Sequence, residues 1–115
     1  MNYIDGYVAA VPTANKEKYL EHVKFADSLF KEYGATKLVE CWGDDVPEGE
    51  VTSFPMAVKC KPDETVVFSW AVWPDKKTRD KGMESMMKDD RMSADTMPFD
   101  AKRIIWGGFQ MIFEG

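Results

Sequence analysis

The stretch Leu38-Val39-Glu40-Cys41-Trp42-Gly43-Asp44-Asp45-Val46-Pro47 starts as a buried strand and ends in an acidic loop broken by glycine and proline. It sets a carboxylate, a thiol and an indole side by side where the pattern otherwise reads as core. Its strand half, residues 36–42, needs partners, and the rest of the chain supplies them.

Upstream, residues 3–11 read as a strand that is apolar on both sides, with Tyr3, Tyr7, Ala9 and Val11 opposite Ile4, Gly6, Val8 and Ala10; Asp5 is the exception and Pro12 the stop. A helix follows from a cap at Asn15 to about Tyr33, with Glu17 in its first turn and Gly34 just past its end. Its apolar positions Tyr19, Leu20, Val23, Ala26, Leu29, Phe30 and Tyr33 recur at three and four residues, forming one stripe. Downstream, Ser53 or Thr52 can cap a short helical turn over residues 53–59.

Residues 65–73 form a third strand, again apolar on both faces, with Ser69 the polar interruption. Pro74-Asp75 opens a second helix, residues 76–88, in which Met83, Met86 and Met87 face inward. Gly82 inside it costs about 1 kcal/mol against alanine, which marks a close approach to the sheet. Residues 89–100 form a loop, and residues 102–113 a last strand that Gly107-Gly108 should bulge or bend. The order is β-α-β-β-α-β, the ferredoxin-like split unit of the α+β class: a four-stranded antiparallel sheet with both helices on one face, in one domain spanning residues 1–115.

In that topology the face away from the helices meets water and should turn polar at alternate positions. Three of the four strands do not. An exposed patch of this kind exceeds what a soluble monomer carries, so a homodimer packed through the sheet faces is expected; the competing cover is the chain's own loops, 43–64 and 89–101.

The net charge of -5 and the scattered basic residues argue against nucleic acid and against anionic membranes. Two cysteines, Cys41 and Cys60, make neither a disulfide framework nor a CxxC site, and no leader or spanning segment is read, so a cytoplasmic setting is expected.

The runs Asp5-Gly6-Tyr7-Val8, Lys31-Glu32-Tyr33-Gly34-Ala35, Val39-Glu40-Cys41-Trp42-Gly43-Asp44-Asp45-Val46-Pro47, Val66-Val67-Phe68-Ser69-Trp70, Met97-Pro98-Phe99-Asp100 and Gly107-Gly108-Phe109 together resemble the YbaA-like family of bacterial proteins, a domain-of-unknown-function family (number 1428). The resemblance covers nearly the whole chain. It implies a dimeric α/β-barrel built of ferredoxin-like halves, and it implies no activity and no catalytic residue. An RNA-related label attached to some members, tied to the signal recognition particle, finds no support in this acidic chain.

Candidate chemistry centres on Glu40. If it is buried, desolvation raises its pKa and makes it a base; the competing role is an ion pair with a neighbouring-strand residue such as Arg103. His22, the sole histidine, and Ser69 are the other catalytic candidates, though a lone histidine beside the helix stripe is more often a satisfied or solvent-side residue. Asp44, Asp45, Glu48 and Glu50 crowd one loop, but their spacing does not match an EF-hand, so no metal is expected. Cys41 reads as a small buried hydrophobe with no base at hand. Trp42, Trp70 and Trp106, with Cys41, Arg103, Met83 and Met87, are the candidates to line a cavity between sheet and helices. No cofactor is called for. The leading expectation is a small apolar or aromatic ligand in that cavity. Alternatives are a cofactor-free monooxygenase-like or isomerase-like enzyme, by analogy of fold alone, and a structural or regulatory dimer with no ligand.

Overall fold

A computed structural model of the protein describes residues 2–92 and 97–115. Its elements run β1 (Tyr3–Pro12), α1 (Lys16–Glu32), β2 (Lys37–Trp42), α2 (Phe54–Ala57), β3 (Glu64–Trp73), α3 (Lys76–Met87) and β4 (Ile105–Gln110), with short 3-10 turns at Thr13–Asn15 and Ala101–Arg103. The four strands form one antiparallel sheet in the order β2-β3-β1-β4. This is the ferredoxin-like arrangement of the α+β class, with α1 and α3 on one face.

The helices stop and start where side chains satisfy their ends. Past α1, Gly34 sits at φ 112°, and the N–H groups of Gly34 and Ala35 return to the carbonyls of Lys31 and Phe30. That left-handed closure favours glycine. At α3 the Asp75 carboxylate accepts the Thr78 N–H at 2.7 Å, and at α2 the Ser53 hydroxyl accepts from Met56 at 3.1 Å. Asn15 departs from its expected role: it precedes α1 without capping it, and its amide donates instead to the Pro98 carbonyl at 3.0 Å. The 3-10 turn ahead of α1 carries the chain into the helix.

Side chains on the helix-covered face form the main core. Trp73 is fully buried among Leu29, Phe30, Ala71 and Met86. Gly82 lets α3 approach it: a β-carbon there would lie 2.6 Å from Trp73 Cζ3 and 2.6 Å from the Tyr33 carbonyl. Beside it lies a charged group that the core encloses. Asp5 is 0% exposed and accepts from Trp73 Nε1 at 2.9 Å and from Arg79 Nη2 at 2.8 Å. The Arg79 guanidinium also lies 5.2 Å from the Tyr3 ring centroid. Every oxygen of this carboxylate is used, which is the condition for enclosing a charge.

The last strand is shorter than its pattern suggests. Residues before it are taken into the 3-10 turn, where Asp100 accepts the Lys102 N–H and Arg103. After Gln110 the ladder runs out, because β1 begins at Tyr3; one further contact, from the Met111 N–H to the Asn2 carbonyl at 3.4 Å, follows it. Gly107 and Gly108 make no bulge; they pair in register with Gly6 and Asp5. Gly108 is small for another reason. A β-carbon there would meet Tyr3 Oη at 2.5 Å and Arg79 Nη2 at 2.7 Å.

On the opposite face, α2 covers one end only, where Val58 joins Val8, Ala10 and Val66. The remainder, including Phe68, Ile105 and Phe109, is 43%, 45% and 61% exposed. Among the described residues no helix is long and apolar enough to cross a membrane.

Candidate functional site

Strand register builds the site. Trp106 pairs with Tyr7, Tyr7 with Ser69, and Ser69 with Glu40, so these four residues form one line across all four strands on the helix-covered face. Neighbouring strands lie about 4.8 Å apart, which makes the line about 14 Å long. It is the floor of a cavity of about 310 Å³. The roof comes from α1, through His22, Val23, Ala26 and Phe30, and from α3, through Met83, Met86 and Met87; Met97 and Phe99 close one side. The lining is apolar except at the floor, at His22 and at the Tyr19 hydroxyl.

The floor holds a carboxylate, Glu40, that has no counter-ion among the described residues. Glu40 is half-buried, and Tyr19 of α1 donates its hydroxyl to Glu40 Oε1 at 2.5 Å. Burial raises the Glu40 pKa above the usual carboxylate value; hydrogen bonding from Tyr19 and Ser69 favours the charged form but does not outweigh it. The Tyr19 hydroxyl is held protonated by burial, then by the Glu40 charge. Burial lowers the His22 pKa, which favours its neutral imidazole.

Tyr7 differs from Tyr19 in one respect. Its hydroxyl is buried and has no hydrogen-bond partner among the described residues. Its ring is fixed, edge-on to Phe30 at 6.3 Å and stacked near Trp106 at 6.5 Å. Burial, then the Asp5 charge, keep it protonated. A buried hydroxyl without a partner is unfavourable by about 1–3 kcal/mol, so its presence on a cavity floor points to a polar group that enters the cavity.

The sequence candidates divide. Glu40, Ser69, His22, Trp106, Met83 and Met87 all line this cavity. Trp70 and Cys41 do not, because their positions alternate to the other face of the sheet; Cys41 is exposed there instead of buried. Trp42 is on the helix side but packs behind Tyr19, ring to ring at 6.3 Å, with the Lys16 ammonium 5.5 Å from its ring centroid. Arg103 pairs neither with a ligand site nor with Glu40. It reaches Glu64 at 2.6 Å and Asp100 at 3.0 Å, because the 3-10 turn aims it at the start of β3. Tyr7 and Tyr19 were absent from the candidates: both had been counted as apolar positions, and the signal that could have flagged them is that a buried tyrosine hydroxyl needs a partner.

Asp44, Asp45, Glu48 and Glu50 are exposed. Among the described residues no three histidine, cysteine, aspartate or glutamate side chains converge as a metal site would need.

Comparison with known proteins gives a family and a fold. A family model described as "Protein of unknown function (DUF1428)" matches residues 2–101. The uncharacterized protein YbaA of Escherichia coli strain K12 is 51% identical over 116 residues, covering 99% of both chains, and YbaA of Shigella flexneri matches to the same extent. Among solved structures, a dimeric ferredoxin-like protein from an uncultured marine organism superposes with a TM-score of 0.64 over 99% of this chain and 98% of its own, at 8% identity. That likeness is one of fold.

Proposed function

Because the chain belongs to the DUF1428 family, whose description names no activity, its role is to be read from the site, and we propose that it binds a small apolar molecule carrying a hydrogen-bonding group. The observation that carries this reading is that Tyr7, which lines an apolar cavity, has an enclosed hydroxyl with no partner among the described residues, one that a ligand's polar group reaches as the flexible side chains around it shift. A volume of about 310 Å³ lies at the lower end of small-molecule sites. Flexible methionines on the roof adapt to the shape of a ligand, while Tyr7, Ser69 and Glu40 supply the few polar contacts that orient it. A purely structural dimer would have filled this volume with side chains.

Trp106 and Trp70 together provide the assay, since Trp106 lines the cavity and also edges the open-face hollow, whereas Trp70 lines the hollow alone, so a response from the cavity must be kept in Trp70→Phe. Titration with 2-naphthol should change tryptophan emission saturably, and Trp106→Phe should remove the response. A response that survives Trp106→Phe and disappears in Trp70→Phe would move binding to the other face of the sheet and end this reading.

The open face favours a second reading, compatible with the first: a homodimer joined sheet to sheet. Ile4, Phe68, Trp70, Ile105 and Phe109 line an apolar hollow of about 640 Å³ there, which α2 leaves uncovered. A matching copy is the simplest cover for such a face. Light scattering should give twice the mass of one chain, and Phe68→Lys should halve it without loss of helical signal; a single-chain mass for the natural sequence would refute it. The unpaired Cys41 and Cys60 fit a reducing, cytoplasmic setting.

A further inference from the structure

The ligand-binding reading, on which this inference rests, leaves the ligand's class and fate open. We propose that the ligand is a carbonyl compound with a C–H bond next to its carbonyl, that the Glu40 carboxylate moves a proton on it, and that the Tyr7 hydroxyl holds its oxygen. The protein would then be a cofactor-free isomerase.

Three features of the floor lead there. First, Tyr7 and Glu40 flank Ser69 on adjacent strands, two strand spacings apart, and both rise toward the same cavity. The small Ser69 between them leaves room for a ligand to lie across it. Secondly, the two groups are prepared for different partners. Tyr7 offers a fixed O–H donor with no acceptor among the described residues. Glu40 is an acceptor whose orientation Tyr19 sets through Oε1. Thirdly, among the described residues no lysine or arginine lines the cavity. The polar groups that share the cavity with Glu40 are Ser69 from β3, Tyr19 and His22 from α1, and Tyr7 from β1, of which Tyr19 and Ser69 hydrogen-bond it, whereas α3 supplies methionines. The carboxylate is therefore neither neutralised by an ion pair nor shielded by water on all sides. Burial shifts its pKa upward, in the direction that strengthens a base.

The step balances without a further reactant. A Glu40 oxygen takes the proton from the carbon beside the carbonyl. The electron pair of the broken C–H bond forms the new C=C bond, and the carbonyl π pair moves onto oxygen. The Tyr7 O–H donates to that oxyanion, which is where the new charge collects. Glu40, now a carboxylic acid, returns its proton to the same carbon or to the far carbon of a conjugated chain. The outcome is an epimer or a shifted double bond. Nothing is oxidised and no group is transferred.

The test uses 2-tetralone, a bicyclic aromatic ketone, in deuterated buffer, with exchange of its benzylic hydrogens followed by proton NMR and binding followed through Trp106 emission in the same samples. The intact protein should accelerate exchange above buffer, and the effect should saturate. Glu40→Gln should lower the accelerated rate by about 100-fold or more with the emission change kept, because the glutamine carbonyl can still accept from Tyr19. Tyr7→Phe should lower it by about 100-fold. The rate should rise with pH through a single step above the ordinary carboxylate range, as Glu40 ionises. Should Glu40→Gln prove unfolded by circular dichroism, Glu40→Asp and the pH profile decide: a carboxylate drawn back by one methylene should slow exchange, and an unchanged rate or a flat profile overturns the proposal. Binding of 2-tetralone without accelerated exchange also overturns proton transfer but leaves the binding site standing. If 2-naphthol binds and 2-tetralone does not, the carbonyl class is wrong. Failure of both compounds removes the site itself.

Discussion

Replacing Tyr7 by phenylalanine should make the protein more stable. The ring contacts survive, since the edge-on approach to Phe30 at 6.3 Å and the stack on Trp106 at 6.5 Å involve no hydroxyl. What disappears is an oxygen that is buried and has no partner among the described residues. Enclosing such a group is unfavourable by about 1–3 kcal/mol, and its removal creates a void no larger than the oxygen it occupied. A gain of about 1 kcal/mol is therefore the conservative figure, and for a domain of this length it raises Tm by about 4 °C. The measurement is a pair of thermal melts, wild type and Tyr7→Phe, at one protein concentration and without added ligand, since a bound molecule or an associating copy shifts the midpoint by mass action. Urea titration should move the midpoint with the slope unchanged. A loss of 1 kcal/mol or more would refute the reasoning, because it would mean that the hydroxyl makes a hydrogen bond in the folded protein. A gain in stability coupled to a loss of ligand response is the pattern of a polar group kept for function at the expense of folding.

Three further substitutions test the framework around the site. Gly82→Ala should destabilise by about 1–3 kcal/mol in urea titration, although alanine is the better helix former by about 1 kcal/mol, because its β-carbon would sit 2.6 Å from Trp73 Cζ3; a more stable variant would show that α3 stands further from the sheet. Asp5→Asn should lower stability by about 3 kcal/mol, as it leaves the Arg79 guanidinium without its buried partner; a change under about 1 kcal/mol would mean that the contact with Asp80 suffices. Glu40→Gln should reveal a pH dependence. Because the folded pKa of Glu40 is raised, its contribution to stability is fully present below the unfolded value of 4.5 and is lost as pH rises through the folded pKa. The stability of Glu40→Gln relative to the natural protein should thus increase from acid toward neutral pH and then level off, and a difference that shrinks over that range would contradict the burial of the charge.

How far these features could be read from the chain depends on whether one strand or helix settles them. The β-branched and aromatic run along residues 65–73 and the stripe from Tyr19 to Phe30 fix their own elements, and the β-α-β-β-α-β order follows from them. That Glu40 stands on a strand was legible too, since Val39, Glu40 and Cys41 continue one strand pattern, whereas its burial was only a condition of the reading. Which residues meet Glu40 was not. Its partner was sought in Arg103, yet the contact comes from Tyr19, 21 residues away on a helix whose tyrosines pass for apolar positions. Arg103 misled because the last strand starts only at Ile105, once Asp100 has drawn the preceding residues into a turn. Trp70 and Cys41 misled for a simpler reason. A strand shows its two faces by alternation, but alternation does not say which face the helices cover when both are apolar. Here Asp5, the residue that broke the pattern in β1, carried the answer: a buried carboxylate beside Arg79 lies under α3, and Tyr7 two residues on shares its face.

The most direct measurement is a crystal structure of the protein grown with 2-tetralone. The ketone should lie under α1 and α3, with its oxygen within hydrogen-bond distance of Tyr7 Oη and its benzylic carbon against the Glu40 carboxylate. A ketone found instead on the open face among Phe68, Trp70 and Phe109, or a cavity closed by its own side chains, would contradict it.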